Sequence, residues 1–309
     1  MPSSVNSSSV LSGPTAVARR AAALGGRGVS SLAKRLRQAQ GRSPDRSAPW
    51  DGDVIDDLAF RRPWNVAVKV ARARAKRRAS QLERGETIII VNWNTLPVLQ
   101  DTLAAVRQLT SAHVPITVVD NGSTDGSKAW LQAQDLKLIA LPVNVGHSIA
   151  LDLAFCGCDT DIAVTLDSDA VPISDRWLEA LVQPIRTGNA VLAGARSSRD
   201  FVHPMAMAVD MRRFIADDLT FQVYKSPESV GNEVWGENAF DTAEWMSRMV
   251  RPEELHYLET TPNRVTGLPG MTSGDVVYHH GGVTRSAEVG LDPDSYQQWK
   301  SALEQLLPK

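Results

Sequence analysis

The chain is poor in the residues that would hold it together through covalent or metal cross-links. Only two of its 309 residues are cysteine, Cys156 and Cys158. They are too close together for an ordinary disulfide framework and too few for a structural zinc site, so both are read as packing residues. No apolar run approaches the ~20 residues that a membrane-spanning helix needs. The opening MPSSVNSSSV lacks the compact apolar core of a secretory signal. The expectation is a cytoplasmic protein. Net charge is also nearly absent, at -2, but the charges are unevenly placed: residues 1–84 carry 17 Lys and Arg against 6 Asp and Glu, and the rest of the chain 16 against 29. A basic arm on an acidic body can seek anionic lipid, nucleic acid, a partner or its own body, and the acidic body makes nucleic acid the least attractive of these. No internal repeat is visible.

A hydrophobic content of 43% over this length is enough for one substantial α/β core with appendages. Residues 1–15 are rich in Ser, Gly and Pro and are expected to be disordered. The segments 16–40 (AVARRAAALGGRGVSSLAKRLRQAQ) and 66–84 are basic and rich in helix formers, with the loop-like SPDRSAPWDGD between them. Each is either a solvated helix packed on the body or a basic amphipathic helix in peripheral contact with the inner face of a membrane. The expected organisation is therefore a basic, disordered-to-helical extension over 1–85 and a folded domain over 86–309.

From Glu86 short apolar runs alternate with helical stretches, the rhythm of a mostly parallel sheet covered by helices. Strands are expected at Thr87–Val91, Ile116–Val119, Leu136–Leu141, Ile162–Leu166 and Ala190–Ala195. Helices are expected at Pro97–Thr110, Asp125–Gln134, His147–Phe155 and Ser174–Thr187. The runs are continuously apolar, as strands buried on both faces must be. The first four end in polar residues: Asn92 and Asn94, Asp120 and Asn121, Asn144, and Asp167 with Asp169. A parallel sheet brings all of these to one edge, where open α/β sheets bind their ligands. The pair in LDSDA suits a hard divalent cation such as Mg2+ or Mn2+, although a strand-end turn followed by a helix cap would also favour aspartate there. Asp120, in VVDNGSTDGS, either makes an Asx-turn or accepts from a nucleotide base.

The stretches IIIVNWNT, VVDNGSTDGS, PVNVGHSIALDLAF and LDSDAVP, in this order and spacing, resemble the family 2 glycosyltransferases with the GT-A fold, a Rossmann-like sheet with helices on both faces. The resemblance is good over roughly 86–213 and looser beyond. It implies an inverting transferase that uses Mn2+ or Mg2+ and takes a sugar from a UDP-, GDP- or dTDP-sugar to a carbohydrate or lipid-linked acceptor hydroxyl. It also implies that Asp120 reads the base, that Asp167 and Asp169 form the D-x-D touching ribose and metal, and that Asn94 and Asn144 line the nucleotide cleft. A general base belongs near a helix start in the second half, and FDTAEWMSRM offers Asp241 first and Glu244 second, ahead of Glu233 and Glu237. The same D-x-x-E spacing is also a capping box. A late histidine is expected to complete the metal shell, His280 ahead of His279, and Arg285 to meet a diphosphate oxygen. His203 and Trp235 are expected on the acceptor side. The Q-x-x-R-W signature of processive synthases is missing, which favours single addition. The rivals are a sugar-nucleotide pyrophosphorylase, which the lack of a G-x-G-T-R-like stretch disfavours, and a non-catalytic scaffold.

Overall fold

In a computed structural model, which describes residues 58–223, 240–281 and 293–308, the first strand shows how the sequence builds the architecture. Strand β1 (Glu83–Asn92) carries Ile88, Ile89 and Ile90, all fully buried. Because successive side chains point to opposite faces, Ile89 joins one hydrophobic cluster while Ile88 and Ile90 join another. Such a strand needs cover on both faces. Helix α2 (Leu96–Leu109), β2 (Ile116–Asp120), the short α3 (Ser127–Leu131), β3 (Lys137–Ala140), α4 (His147–Cys156) and β4 (Thr160–Asp167) follow in βα alternation. The second expected helix, Asp125–Gln134, is shorter than its propensity implies, because Gly126 at its start is left-handed and its chain turns after Leu131.

After β4 come β5 (Ala170–Pro172), α5 (Trp177–Arg186), β6 (Leu192–Arg196), β7 (Val202–Asp210) and α6 (Met211–Ala216). The large sheet has the order β3-β2-β1-β4-β7-β6, with β8 (Leu255–Leu258) at the far edge. Strands β1 to β4 pair in parallel, while β7 lies antiparallel between β4 and β6. The fifth expected strand therefore runs in the same direction as the first four but is not their neighbour. A short α7 (Glu244–Met249) precedes β8. Strands β9 (Thr260–Pro262), β10 (Met271–Ser273) and β11 (Val277–His279) form a second sheet with β5, in the order β5-β11-β10-β9, and α8 (Pro293–Leu306) closes the described chain.

The basic stretch before β1 is part of this body. Helix α1 (Leu58–Arg78) buries Val68 and Ala75 in the cluster that contains α4. Its Arg72 donates to the Leu219 carbonyl at 2.7 Å and lies 3.7 Å from the buried Asp152 carboxylate. Arg78 donates to the Cys156 carbonyl at 2.7 Å. Of the two roles open to residues 66–84, packing on the body is the one this helix adopts. Cys156 and Cys158 are free and buried in the same cluster, and burial pushes the Cys156 thiol up to about 12. Among the described residues no helix is long and apolar enough to cross a membrane. The expected disorder of 1–15, the helix over 16–40 and the loop after it lie outside the described residues.

Candidate active site

The polar strand ends do meet at one edge. Asn92 and Asp120 are register partners on β1 and β2, both fully buried. Asn92 donates to Ser123 Oγ at 3.1 Å and accepts from Thr95 Oγ1 at 2.7 Å. Asp120 Oδ2 is buried with no partner among the described residues. Asn144 Oδ1 accepts from Asn121 Nδ2 at 2.9 Å and from the Gly146 N–H at 2.8 Å, which leaves its Nδ2 likewise buried and unpartnered. The edge thus offers one orphaned acceptor and one orphaned donor. Asn94 has another use: in a left-handed conformation, φ 53°, it accepts from the Thr124 N–H at 2.7 Å and ties the β1–α2 turn to the turn after β2. Gly122 lets the second turn lie directly on the third. At φ +78° a Cβ there would stand 2.3 Å from the Val143 carbonyl carbon.

Asp167 ends β4, and Asp169 follows two residues later, almost fully buried. Thr102 Oγ1 holds the intervening Ser168 carbonyl at 2.7 Å. Ligand atoms of Asp167, Asp169 and His279 all lie within 4.8 Å of one another. His279 Nε2 is 3.2 Å from Asp169 Oδ1 and 3.9 Å from Asp167 Oδ2. Burial works to raise the Asp169 carboxyl, but the charge and hydrogen bond of His279 outweigh it and hold the group below the usual carboxylate range. Two carboxylates and one imidazole are a donor set that fits Mn2+ or Mg2+, with room for phosphate oxygens.

The structure brings His279, not His280, to the aspartates. Strand β11 pairs antiparallel with β5, placing His279 opposite Ala170, so strand alternation sends Tyr278 and His280 the other way. Tyr278 donates to the Pro269 carbonyl at 2.7 Å, so its oxygen accepts from His280 Nδ1 at 2.7 Å. Burial pulls His280 below its ordinary value, away from the charged form.

Two more imidazoles respond to Asp167. His147, the first residue of α4, has Nε2 3.6 Å from Asp167 Oδ1. It was read from sequence only as the start of a helix, although its place just after a polar strand end was the available signal. His203, on β7, accepts the Met205 N–H at Nδ1 over 3.1 Å. Burial lowers its pKa, while the charges of Asp167 and Asp241 act in the opposite direction.

The two candidate bases part company. Glu244 is 1% exposed. It lies 2.7 Å from Arg199 and 3.1 Å from Arg248, and it accepts the Asp241 N–H at 2.9 Å. This is the glutamate half of a capping box, and it commits the side chain to structure. The other half does not form. Asp241 accepts from the Thr242 N–H at 2.7 Å, and the helix is capped instead by Ala243 in a left-handed conformation. Asp241 is half-buried. Glu233, Trp235, Glu237 and Arg285 lie outside the described residues. A cavity of about 820 Å³ opens at the opposite edge of the sheet, but its Arg186 and Arg212 are paired with Glu86 and Asp161 and it holds none of these groups.

A mostly parallel α/β sheet with acidic and amide side chains gathered at the carboxyl ends of its strands is an arrangement in which open α/β enzymes bind ligands. More narrowly, the Glycosyl transferase family 2 profile matches residues 87–246, just over half of the chain, and the protein belongs to that family. Its sheet is the GT-A arrangement. Comparison with curated proteins finds no significant match. Solved structures similar to it include glucosyl-3-phosphoglycerate synthase from Mycobacterium tuberculosis in complex with Mn2+, UDP and phosphoglyceric acid (15% identity, 78% of this chain and 84% of that one, TM-score 0.43). The mannosyltransferase PcManGT from Pyrobaculum calidifontis, in complex with GDP-Man and Mn2+, shares 18% identity over 56% of this chain and 59% of that one, with a TM-score of 0.39. S. aureus TarS in complex with UDP-GlcNAc shares 15% identity over 50% and 54%, also with a TM-score of 0.39. The chain thus spans less than two thirds of the length of the latter two.

Proposed function

We propose that this site moves a sugar from a nucleoside-diphosphate donor to an acceptor hydroxyl with inversion, one addition at a time, with Mn2+ or Mg2+. The observation that carries the reading is the Asp167–Asp169–His279 cluster, within 4.8 Å, on the same sheet edge as the orphaned Asp120 Oδ2 and Asn144 Nδ2. A nucleobase has N–H donors for the first and a carbonyl acceptor for the second. A bound divalent ion would neutralise the negative charge gathering on the departing diphosphate. Asp167, Asp169 and His279 would hold it, while Asp167 also meets the ribose. Asp241 takes the acceptor's proton as the new bond forms, a role for which Glu244, held between two arginines, is unsuited. The acceptor class is a glycan or glycolipid precursor. Asn94 supports the nucleotide cleft through Thr124.

The test is binding and hydrolysis of UDP-glucose, UDP-N-acetylglucosamine, GDP-mannose and a dTDP-sugar by the purified protein with Mn2+, with Mg2+ and with EDTA. Selection of one donor only when metal is present is expected; failure of every donor to bind under all three conditions would refute the reading.

A further inference from the structure

His203 has its hydrogen-bonding polarity set by the backbone. Its Nδ1 accepts from the Met205 N–H at 3.1 Å, so the ring proton must sit on Nε2. The Phe201 ring packs 5.7 Å away and restrains the imidazole's orientation. Strand β7 runs on past its last pair with β4, Leu166 with Ala206, and carries His203 toward the Asp167–Asp169 turn. There the charges of Asp167 and Asp241, and of His279 and His147, all act on the imidazole. A single N–H donor with carboxylates nearby selects its ligand atom. A hydroxyl accepts from Nε2–H and donates its own proton to a carboxylate, satisfying both at once.

Resting on the transferase reading above, we infer that His203 Nε2–H binds a hydroxyl group of the sugar being transferred and so helps determine which donor sugar is accepted. The sugar ring must lie between the metal-held diphosphate and the acceptor, and the β4–β7 register brings His203 to the metal end of that space while the charge of Asp241 also acts on its ring. Burial favours the neutral imidazole, which keeps the donor on Nε2 and leaves the Met205 contact intact.

The experiment compares intact sugar nucleotides with their diphosphates: UDP-glucose and UDP-N-acetylglucosamine against UDP, and GDP-mannose against GDP, by calorimetry with Mn2+ on the full chain. In the wild type one sugar nucleotide should bind more tightly than its diphosphate. His203→Asn can still accept from the Met205 N–H as an Asx-turn but does not reach the sugar. It is expected to lose about five- to tenfold in affinity for the sugar nucleotide, the size of one hydrogen bond, with diphosphate affinity unchanged. His203→Gln, a longer amide donor, should recover part of that loss. An undiminished sugar gain in His203→Asn, or equal binding of diphosphate and sugar nucleotide by the wild type, would overturn the assignment. Failure of the wild type to bind any nucleotide would instead overturn the transferase reading on which it rests.

Discussion

Replacing Trp299 should damage both stability and metal binding, although the residue touches no ligand. It is fully buried on α8 beside Ala302 and Leu303. Its ring stacks on Tyr278 at 6.1 Å and 29°, and its Nε1 donates to Asp101 Oδ2 at 3.0 Å. Tyr278 directly precedes His279, so the indole supports the back of the strand whose front carries the imidazole. Truncating a buried tryptophan costs about 3–5 kcal/mol. The lost hydrogen bond adds about 1 kcal/mol at most, because Asp101 keeps Lys300 at 2.9 Å. Trp299→Phe, which retains most of the apolar contact, should cost about 1–2 kcal/mol. Urea unfolding followed by circular dichroism gives these differences, and repeating it with saturating Mn2+ gives the ion's contribution. The Mn2+-induced stabilisation should persist in Trp299→Phe and shrink in Trp299→Ala. A cost below about 1 kcal/mol for Trp299→Ala, or an unchanged Mn2+ effect, would refute the argument that α8 buttresses β11.

Asp169→Asn should abolish Mn2+ binding, read by electron paramagnetic resonance, while the far-ultraviolet spectrum is preserved. Gly122→Ala faces backbone atoms of Val143 and Asn144 at 2.3–2.6 Å and cannot rotate away; left-handed strain and overpacking together should cost about 2–6 kcal/mol in chemical unfolding, with nucleotide affinity falling as Asn144 shifts. Glu244→Ala breaks a buried ion pair with Arg199 and should cost roughly 3 kcal/mol, whereas Asp241→Asn can still accept from Thr242 and should lose turnover while staying within about 1 kcal/mol of the wild type. For Asp152, burial outweighs the hydrogen bonds from Thr220 and Phe221 and the charge of Arg72, and raises the carboxyl above its ordinary value. A folded pKa above the unfolded one contributes stability at low pH that is lost as pH rises through the folded value. Asp152→Asn should therefore gain on the wild type as pH rises above about 4, measured by melting temperature across the range.

The sheet was legible because burial on both faces demands continuous apolar runs, and TIIIV or IAVTL can satisfy little else. The chemistry at its edge was legible for a related reason: a parallel sheet has all its carboxyl ends on one side, so Asp120, Asn144 and Asp167 had to converge wherever the helices went. What depended on a distant partner could not be read. That His279 rather than His280 faces the aspartates follows from the register of β11 on β5, set by residues more than a hundred positions apart. The D-x-x-E of Asp241 and Glu244 looked like either a base or a complete cap. It became half a cap because Ala243 took the left-handed conformation and Arg199 and Arg248 engaged the glutamate. Asparagine tolerates the left-handed conformation that Asn94 adopts, but nothing in the local sequence shows that its amide is committed to Thr124, thirty positions away.

The edge of the sheet is costly to fold without a ligand. A buried carboxylate oxygen on Asp120 and a buried amide nitrogen on Asn144, each unpartnered, cost about 1–3 kcal/mol apiece. A few residues away Asp167 and Asp169 bring two negative charges together, beside imidazoles such as His147 and His279, which carry full charge only when protonated. A cation between the aspartates and a base against Asp120 and Asn144 would relieve both costs through one molecule, since a nucleoside diphosphate spans from base to metal. The two halves of the site should therefore bind cooperatively. Mn2+ and UDP, or Mn2+ and GDP, should together raise the melting temperature by more than the sum of their separate effects, and strict additivity would show that the base pocket and the metal cluster do not share a ligand.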